Sequence, residues 1–121
     1  VIGRVNADRS KWNVVMASIR FSVNRNKPNE GQETQLYEVA RFLHDNPGAA
    51  VCVEGYADAT SGSEAYNREL AGQRAEYVKK QLVDKYGVRS SQVTTKTVGT
   101  DVQPYKGEPV WNCVALIRLV K

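Results

Sequence analysis

Histidine, cysteine and methionine are scarce in this chain of 121 residues, which holds one, two and one of them respectively. A lone histidine leaves nucleophilic catalysis without its usual base. His44 stands beside Asp45 at the end of a helical pattern, where a charge complements the helix dipole. Cys52 and Cys113 are too few for a disulfide-dependent scaffold or a Cys-only zinc site. They read as two free thiols, with a bridge between strands as the alternative. No His, Cys and carboxylate residues cluster, so no metal site is expected. The segment Gly55-Tyr56-Ala57-Asp58 lacks the glycine pattern and the following lysine of a phosphate loop. These absences point away from an enzyme and from a bound cofactor. Long apolar runs are missing too. Ala49 to Val53 is typical, against the roughly 20 residues of a membrane-spanning helix. The opening Val1-Ile2-Gly3-Arg4-Val5-Asn6 has no basic-then-apolar order of a signal peptide, and a chain starting at Val1 reads as a piece of a longer protein.

What is present suits one globular domain. Forty-one per cent of the residues are hydrophobic, enough for one core. Seventeen Lys and Arg face thirteen Asp and Glu, a net charge of +4. That is a mild bias toward acidic partners. The basic residues are scattered and Lys79-Lys80 is their one close pair, so no electrostatic footprint for nucleic acid forms. An RNA-recognition module reads bases with aromatics on its central strands, and Val51 to Gly55 and Val93 to Lys96 offer none.

Periodicity gives the order of elements. Residues 1–14 are polar and weakly patterned, a lead-in to a domain over residues 15–121. Trp12 to Val23 alternates as a strand, with Ile19, Phe21 and Val23 against Arg20 and Ser22. Asn29 and Gln32 have the spacing of a capping box. Leu36, Val39, Ala40 and Leu43 then lie on one helix face, and Asn46-Pro47-Gly48 stops that helix. Ala49 to Gly55 is a second strand, and Tyr56 to Ser63 a turn-rich loop. Ser61 and Glu64 again have capping-box spacing. Leu70, Ala71, Ala75, Val78 and Leu82 define a second helix running to about Lys85. Val93 to Val98 is a third strand, and Cys113 to Val120 a fourth after a long loop holding Pro104, Gly107 and Pro109. The order β-α-β-α-β-β implies an α+β fold, a mixed four-stranded sheet packed against two main helices.

Arg74 breaks the pattern. It sits on or beside the apolar seam of the second helix, and Asn67 faces the same way two turns earlier. A half-buried guanidinium needs partners, and Asp58 is the nearest acidic residue in sequence. Two readings stay open: an internal Asp58–Arg74 ion pair fixing the loop, or a receptor for a zwitterion. In the second, Asp58 takes an ammonium and Arg74 a carboxylate, with helix-start N–H groups adding to the anion site.

At these residues the chain resembles the OmpA-like peptidoglycan-binding domain. The resemblance is carried by Val51-Cys52-Val53-Glu54-Gly55-Tyr56-Ala57-Asp58, Gly62-Ser63, Tyr66-Asn67, Leu70, Arg74-Ala75 and Val78. Ile19 to Asn24, Tyr86-Gly87-Val88 and Gly99 extend it over roughly residues 15–120. It implies non-covalent binding of peptidoglycan through the diaminopimelate of the stem peptide, with Asp58 and Arg74 clasping the amino-acid end and Thr60 and Asn67 lining the pocket. It further implies no enzymatic activity and a place in the periplasm of a Gram-negative bacterium. Membrane association would come through a segment outside this chain. Three departures are visible. Ala57 replaces the usual threonine, Asp58 to Gly62 is one residue longer than the commonest form, and Trp111-Asn112-Cys113 stands where a basic pair usually opens the last strand. The alternative they imply is an OmpA-like fold without the ligand. It would serve as an interaction module for other envelope proteins through the loop Val102 to Trp111.

Overall fold

A computed structural model describes residues 14–22, 25–58, 63–100 and 112–120. Four strands, β1 (Val14–Arg20), β2 (Val51–Tyr56), β3 (Val93–Gly99) and β4 (Val114–Leu119), and two helices, α1 (Thr34–Asp45) and α2 (Glu64–Lys80), follow the expected order. The strands form one sheet ordered β1-β4-β2-β3. β4 runs antiparallel to both β1 and β2, while β2 and β3 are parallel. The mixed sheet follows from the connections, because two parallel strands need a crossover and α2 supplies it. The α+β reading of the sequence therefore holds.

Alternation decides which strand residues face the helices. Ala17, Ile19 and Phe21 meet Val51, Val53, Ala115, Ile117 and Leu119 in one core with Leu36, Val39, Ala40, Leu43, Ala75, Val78 and Leu82 of the helical segments. The apolar seams read from the sequence are the faces that are buried. On the opposite face Tyr56, Val98, Val114 and Leu116 make a second, smaller cluster.

Strand ends shift by a few residues from the sequence reading, β1 to Val14–Arg20 and β2 to Val51–Tyr56, and the helical segments and the start of β4 differ as well. α1 starts at Thr34 and its N-cap, Glu33, makes no side-chain cap. Asn29 and Gln32 do other work. Gln32 Oε1 accepts from the main-chain N–H of Arg20 at 3.1 Å, and Asn29 Oδ1 accepts from Ser22 Oγ at 2.7 Å. Gln35 adds a two-way bond to Ser18, taking its N–H at 3.2 Å and donating to its carbonyl at 2.9 Å. Side-chain amides thus occupy the outer edge of β1, a site open to stray strand pairing. The N-cap of α2 is Ser63, whose Oγ accepts from the Tyr66 N–H at 3.2 Å; Ser61 lies outside the described residues. Beyond Lys80 the helix widens into a π-turn, Gln81–Lys85, closed by the Tyr86 N–H on the Gln81 carbonyl at 3.1 Å. Cys113 precedes β4 rather than opening it.

The two polar residues that close the helical layer are also accounted for. Buried Gln92 directs its Nε2 at the carbonyls of Leu43, Asn46 and Ala49, at 3.1, 3.2 and 3.0 Å. It finishes the C-terminus of α1, where carbonyls have no helical partner. His44 sits in the last turn of α1 with Nε2 2.7 Å from the Tyr86 carbonyl, joining that end to the π-turn. Cys52 and Cys113 are free thiols.

β2 and α2 approach so closely that only glycine fits between them. A Cβ on Gly55 would lie 1.9 Å from the Ala71 carbonyl oxygen. The obstacle is backbone and cannot swing away. Gly55→Ala is expected to destabilise the domain by about 3 kcal/mol, read as a lowered urea midpoint.

Candidate functional site

Three segments converge at the C-terminal end of β2: the strand's exit through Ala57 and Asp58, the inner face of α2, and the turn that follows β1. All three polar residues singled out on the first two are buried. Asp58 is 5 % exposed, Asn67 3 % and Arg74 0 %. The seven-residue spacing of Asn67 and Arg74 does put both on the inner face of α2. Asn67 Nδ2 donates to the Asp58 carbonyl at 3.3 Å, so the helix pins the main chain of the residue leaving β2. Ala57 is held from the other side, its N–H on the Gly99 carbonyl at 2.9 Å. Thr60 lies outside the described residues.

Arg74 is the centre of this junction. Nη1 donates to the Tyr56 carbonyl at 2.8 Å, Nε to Arg25 at 2.9 Å and Nη2 to Ser22 at 3.2 Å. The guanidinium carbon also lies 5.2 Å from the centre of the Phe21 ring, within cation–π range. One side chain thus joins α2, the end of β2 and the turn after β1. Burial lowers its pKa from the ordinary arginine value, while neighbouring Cys113 and Tyr66 act in the opposite direction. An arginine keeps its proton under these conditions, so the charge stays and carbonyl dipoles solvate it.

This changes what Arg74 is expected to do. As a pure ligand contact it would be dispensable for folding. The geometry makes it a structural tie, because its loss unlinks the end of β2 from the turn after β1 and removes the donor that meets the buried Tyr56 carbonyl. Arg74→Lys, which keeps the charge but cannot fork to three acceptors, is expected to cost about 2–4 kcal/mol in chemical denaturation.

Sequence reasoning missed a second polar group on the other face of the sheet. Arg118 Nε lies 2.6 Å from Glu54 Oε1, and the Tyr56 hydroxyl donates to the same oxygen at 2.9 Å. Strand alternation places Glu54 and Tyr56 on one face, but only the β2–β4 register brings Arg118 across to them. Burial first, and then the bond to Glu54, raise the Tyr56 pKa above its ordinary value near 10. The stability this phenol contributes is therefore fully present below about pH 10 and lost as pH climbs through the raised value. Wild type should exceed Tyr56→Phe in stability at neutral pH, and the gap should close at strongly alkaline pH in parallel denaturation series.

Comparison with solved structures defines the fold first. It superposes on the peptidoglycan-associated lipoprotein of Burkholderia pseudomallei with a TM-score of 0.79 at 22% identity, covering 85% of this chain and 89% of that one. For the periplasmic domain of Helicobacter pylori MotB (residues 90–256) the TM-score is 0.71 at 18% identity, covering 90% and 74%. The chain belongs to the OmpA family, whose model matches residues 20–110. Curated relatives include Outer membrane protein 40 of Porphyromonas gingivalis, 36% identical over 104 residues, 86% of this chain and 27% of that protein. Outer membrane porin F of Pseudomonas aeruginosa is 31% identical over 85 residues, 70% of this chain and 24% of that protein. The chain thus spans about a quarter of the length of these relatives. The family is one of structural and binding proteins, not of enzymes.

Proposed function

We propose that this chain, a domain over residues 15–121 led into by residues 1–14, binds peptidoglycan non-covalently in the periplasm of a Gram-negative cell. It would thereby help tie an outer membrane to the wall. The ligand group is the diaminopimelate of the stem peptide, whose free end carries both an ammonium and a carboxylate. What carries this reading is the buried Asp58–Asn67–Arg74 cluster at the β2–α2 junction. The Asp58 carboxylate takes the ammonium. Arg74, anchored on Ser22, Arg25 and Tyr56, supplies the positive charge for the carboxylate. Amides of the first turn of α2, behind the Ser63 cap, add donors for the anion. Asn67 keeps the Asp58 main chain in place; Thr60, which the family resemblance adds to the ligand-binding set, lies outside the described residues. The family membership and the fold shared with a peptidoglycan-associated lipoprotein support the assignment.

Asp58→Asn preserves shape while removing the charge, so it is the cleaner test. It should lower affinity on the order of a hundredfold and abolish sedimentation with insoluble peptidoglycan while the urea midpoint stays close to wild type. Calorimetric titration supplies the control. Free diaminopimelate should release heat, and lysine with its α-amino and α-carboxyl groups blocked as amides, which presents an ammonium with no carboxylate, should not. Equal heats from both, or wild-type sedimentation by the variant, would overturn the reading.

One observation favours a second reading, an OmpA-like fold that has shed this ligand and docks other envelope proteins. Asn112 and Cys113 occupy the start of the last strand segment where the family usually carries a basic pair, and each is 2 % exposed. No added cation reaches the pocket from those two positions. Absence of heat from diaminopimelate together with an unchanged fold would select this alternative. The loop proposed to dock there, Val102 to Trp111, lies outside the described residues.

A further inference from the structure

Arg74 is wholly buried, at 0 % exposure, and its three nitrogens each donate to a main-chain oxygen. It brings charge into the junction but presents little surface for a ligand to touch. A carboxylate held at hydrogen-bond distance needs a donor that the ligand can reach from solvent. Asn112 and Cys113, at the start of the last strand segment, carry no cation.

The turn after β1 supplies one. Arg74 Nε donates to the Arg25 carbonyl at 2.9 Å, which sets the Arg25 α-carbon roughly 5 Å from that nitrogen. On the other side of the same guanidinium, Nη1 donates to the carbonyl of Tyr56 at 2.8 Å, two residues before Asp58. One flat group thus ties the root of Arg25 to the exit of β2. Arg25 itself is exposed. Its root is fixed from several directions. The Arg25 N–H donates to the Ser22 carbonyl at 3.1 Å. Asn26 Nδ2 donates to Gln73 Oε1 of α2 at 3.1 Å, and Phe21 pairs with Pro28 in an antiparallel bridge. A long side chain on a fixed root costs less to order on binding than one on a loose loop.

We propose that Arg25 is a ligand-binding residue of this site. Its exposed guanidinium meets the carboxylate of the diaminopimelate end whose ammonium Asp58 takes, and Arg74 positions it by holding its main chain. The inference rests on the peptidoglycan reading and adds a selectivity to it. A guanidinium donates two parallel N–H bonds to a carboxylate, whereas a carboxamide has one oxygen and no charge to receive them. The site therefore selects stem peptides whose diaminopimelate carboxylate is free over those in which it is amidated.

Two probes test this, both diaminopimelate with one end blocked as amides. The acid probe keeps the ammonium and carboxylate of its other end, and in the amide probe that carboxylate is a carboxamide. Shifts of the Asp58 and Asn67 amides, followed into the millimolar range, read both affinities. Arg25→Gln should lower affinity for the acid probe about tenfold and leave that for the amide probe unchanged. The urea midpoint should stay at the wild-type value, because the carbonyl bonded to Arg74 remains. Arg25→Lys should recover part of the lost affinity. Arg68→Gln, which removes an exposed cation lying over Gly99 at the end of β3, should change neither. Unchanged acid-probe affinity in Arg25→Gln, or an equal loss for both probes, overturns the assignment of Arg25 alone. A tenfold loss from Arg68→Gln as well would reduce the effect to net charge and overturn it too. Failure of the wild-type chain to bind the acid probe overturns the peptidoglycan reading itself, and this assignment with it.

Discussion

A positive charge fully out of water governs this domain. Arg74 brings a guanidinium into the interior of an α+β sandwich, where an unsolvated ion is among the costliest things a fold can contain. The structure meets that cost with main-chain oxygens from two separated segments, Ser22 and Arg25 after β1 and Tyr56 at the end of β2, and with the face of Phe21. The carbonyls gain from the arginine in turn, most of all the buried Tyr56 oxygen, which meets the guanidinium inside the fold. The dependence is mutual and long in range: residues 49 and 52 positions apart in sequence are joined through one side chain.

The rest of the fold serves to hold that arrangement. Gly55 lets β2 touch the backbone of α2, which sets the depth at which Arg74 enters. The pairing of β2 with both β3 and β4 makes it an interior strand, so its C-terminal end is a rigid platform for Asp58. Amide side chains of Gln32 and Gln35 occupy the edge of β1, which steadies the strand whose following turn supplies two of the three acceptors. A junction built this way is preorganised, because contacts within the chain itself fix it. Arg74 braces the scaffold through main-chain carbonyls, and the ligand contact that the sequence also suggested for it belongs to the proposed function.

Much of this was legible in advance, and the reasons are local. The four apolar positions of α1 and the five from Leu70 to Leu82 repeat at helical spacing, and all nine are buried. Asn67 and Arg74 announced themselves by standing on that seam. The failures have a physical cause too. Asn29 and Gln32 have capping-box spacing, yet a side-chain amide bonds any nearby polar group, and the Ser22 hydroxyl and the outer edge of β1 lay closer to hand. The π-turn after Lys80 has no period of its own to detect. Glu54 and Arg118 are 64 residues apart, and only strand register makes them neighbours.

Composition and periodicity alone settled the class of the domain, the order of its elements, the faces they bury and the identity of three polar residues that do not belong on an apolar seam or beside one. These are properties of short stretches of chain, where side-chain spacing translates directly into geometry. Tertiary structure alone decided what Arg74 bonds to, which strand lies next to which, and that Arg118 meets Glu54 and Tyr56 across the sheet. Each depends on segments far apart in sequence meeting at hydrogen-bond distance, and no local pattern encodes that meeting.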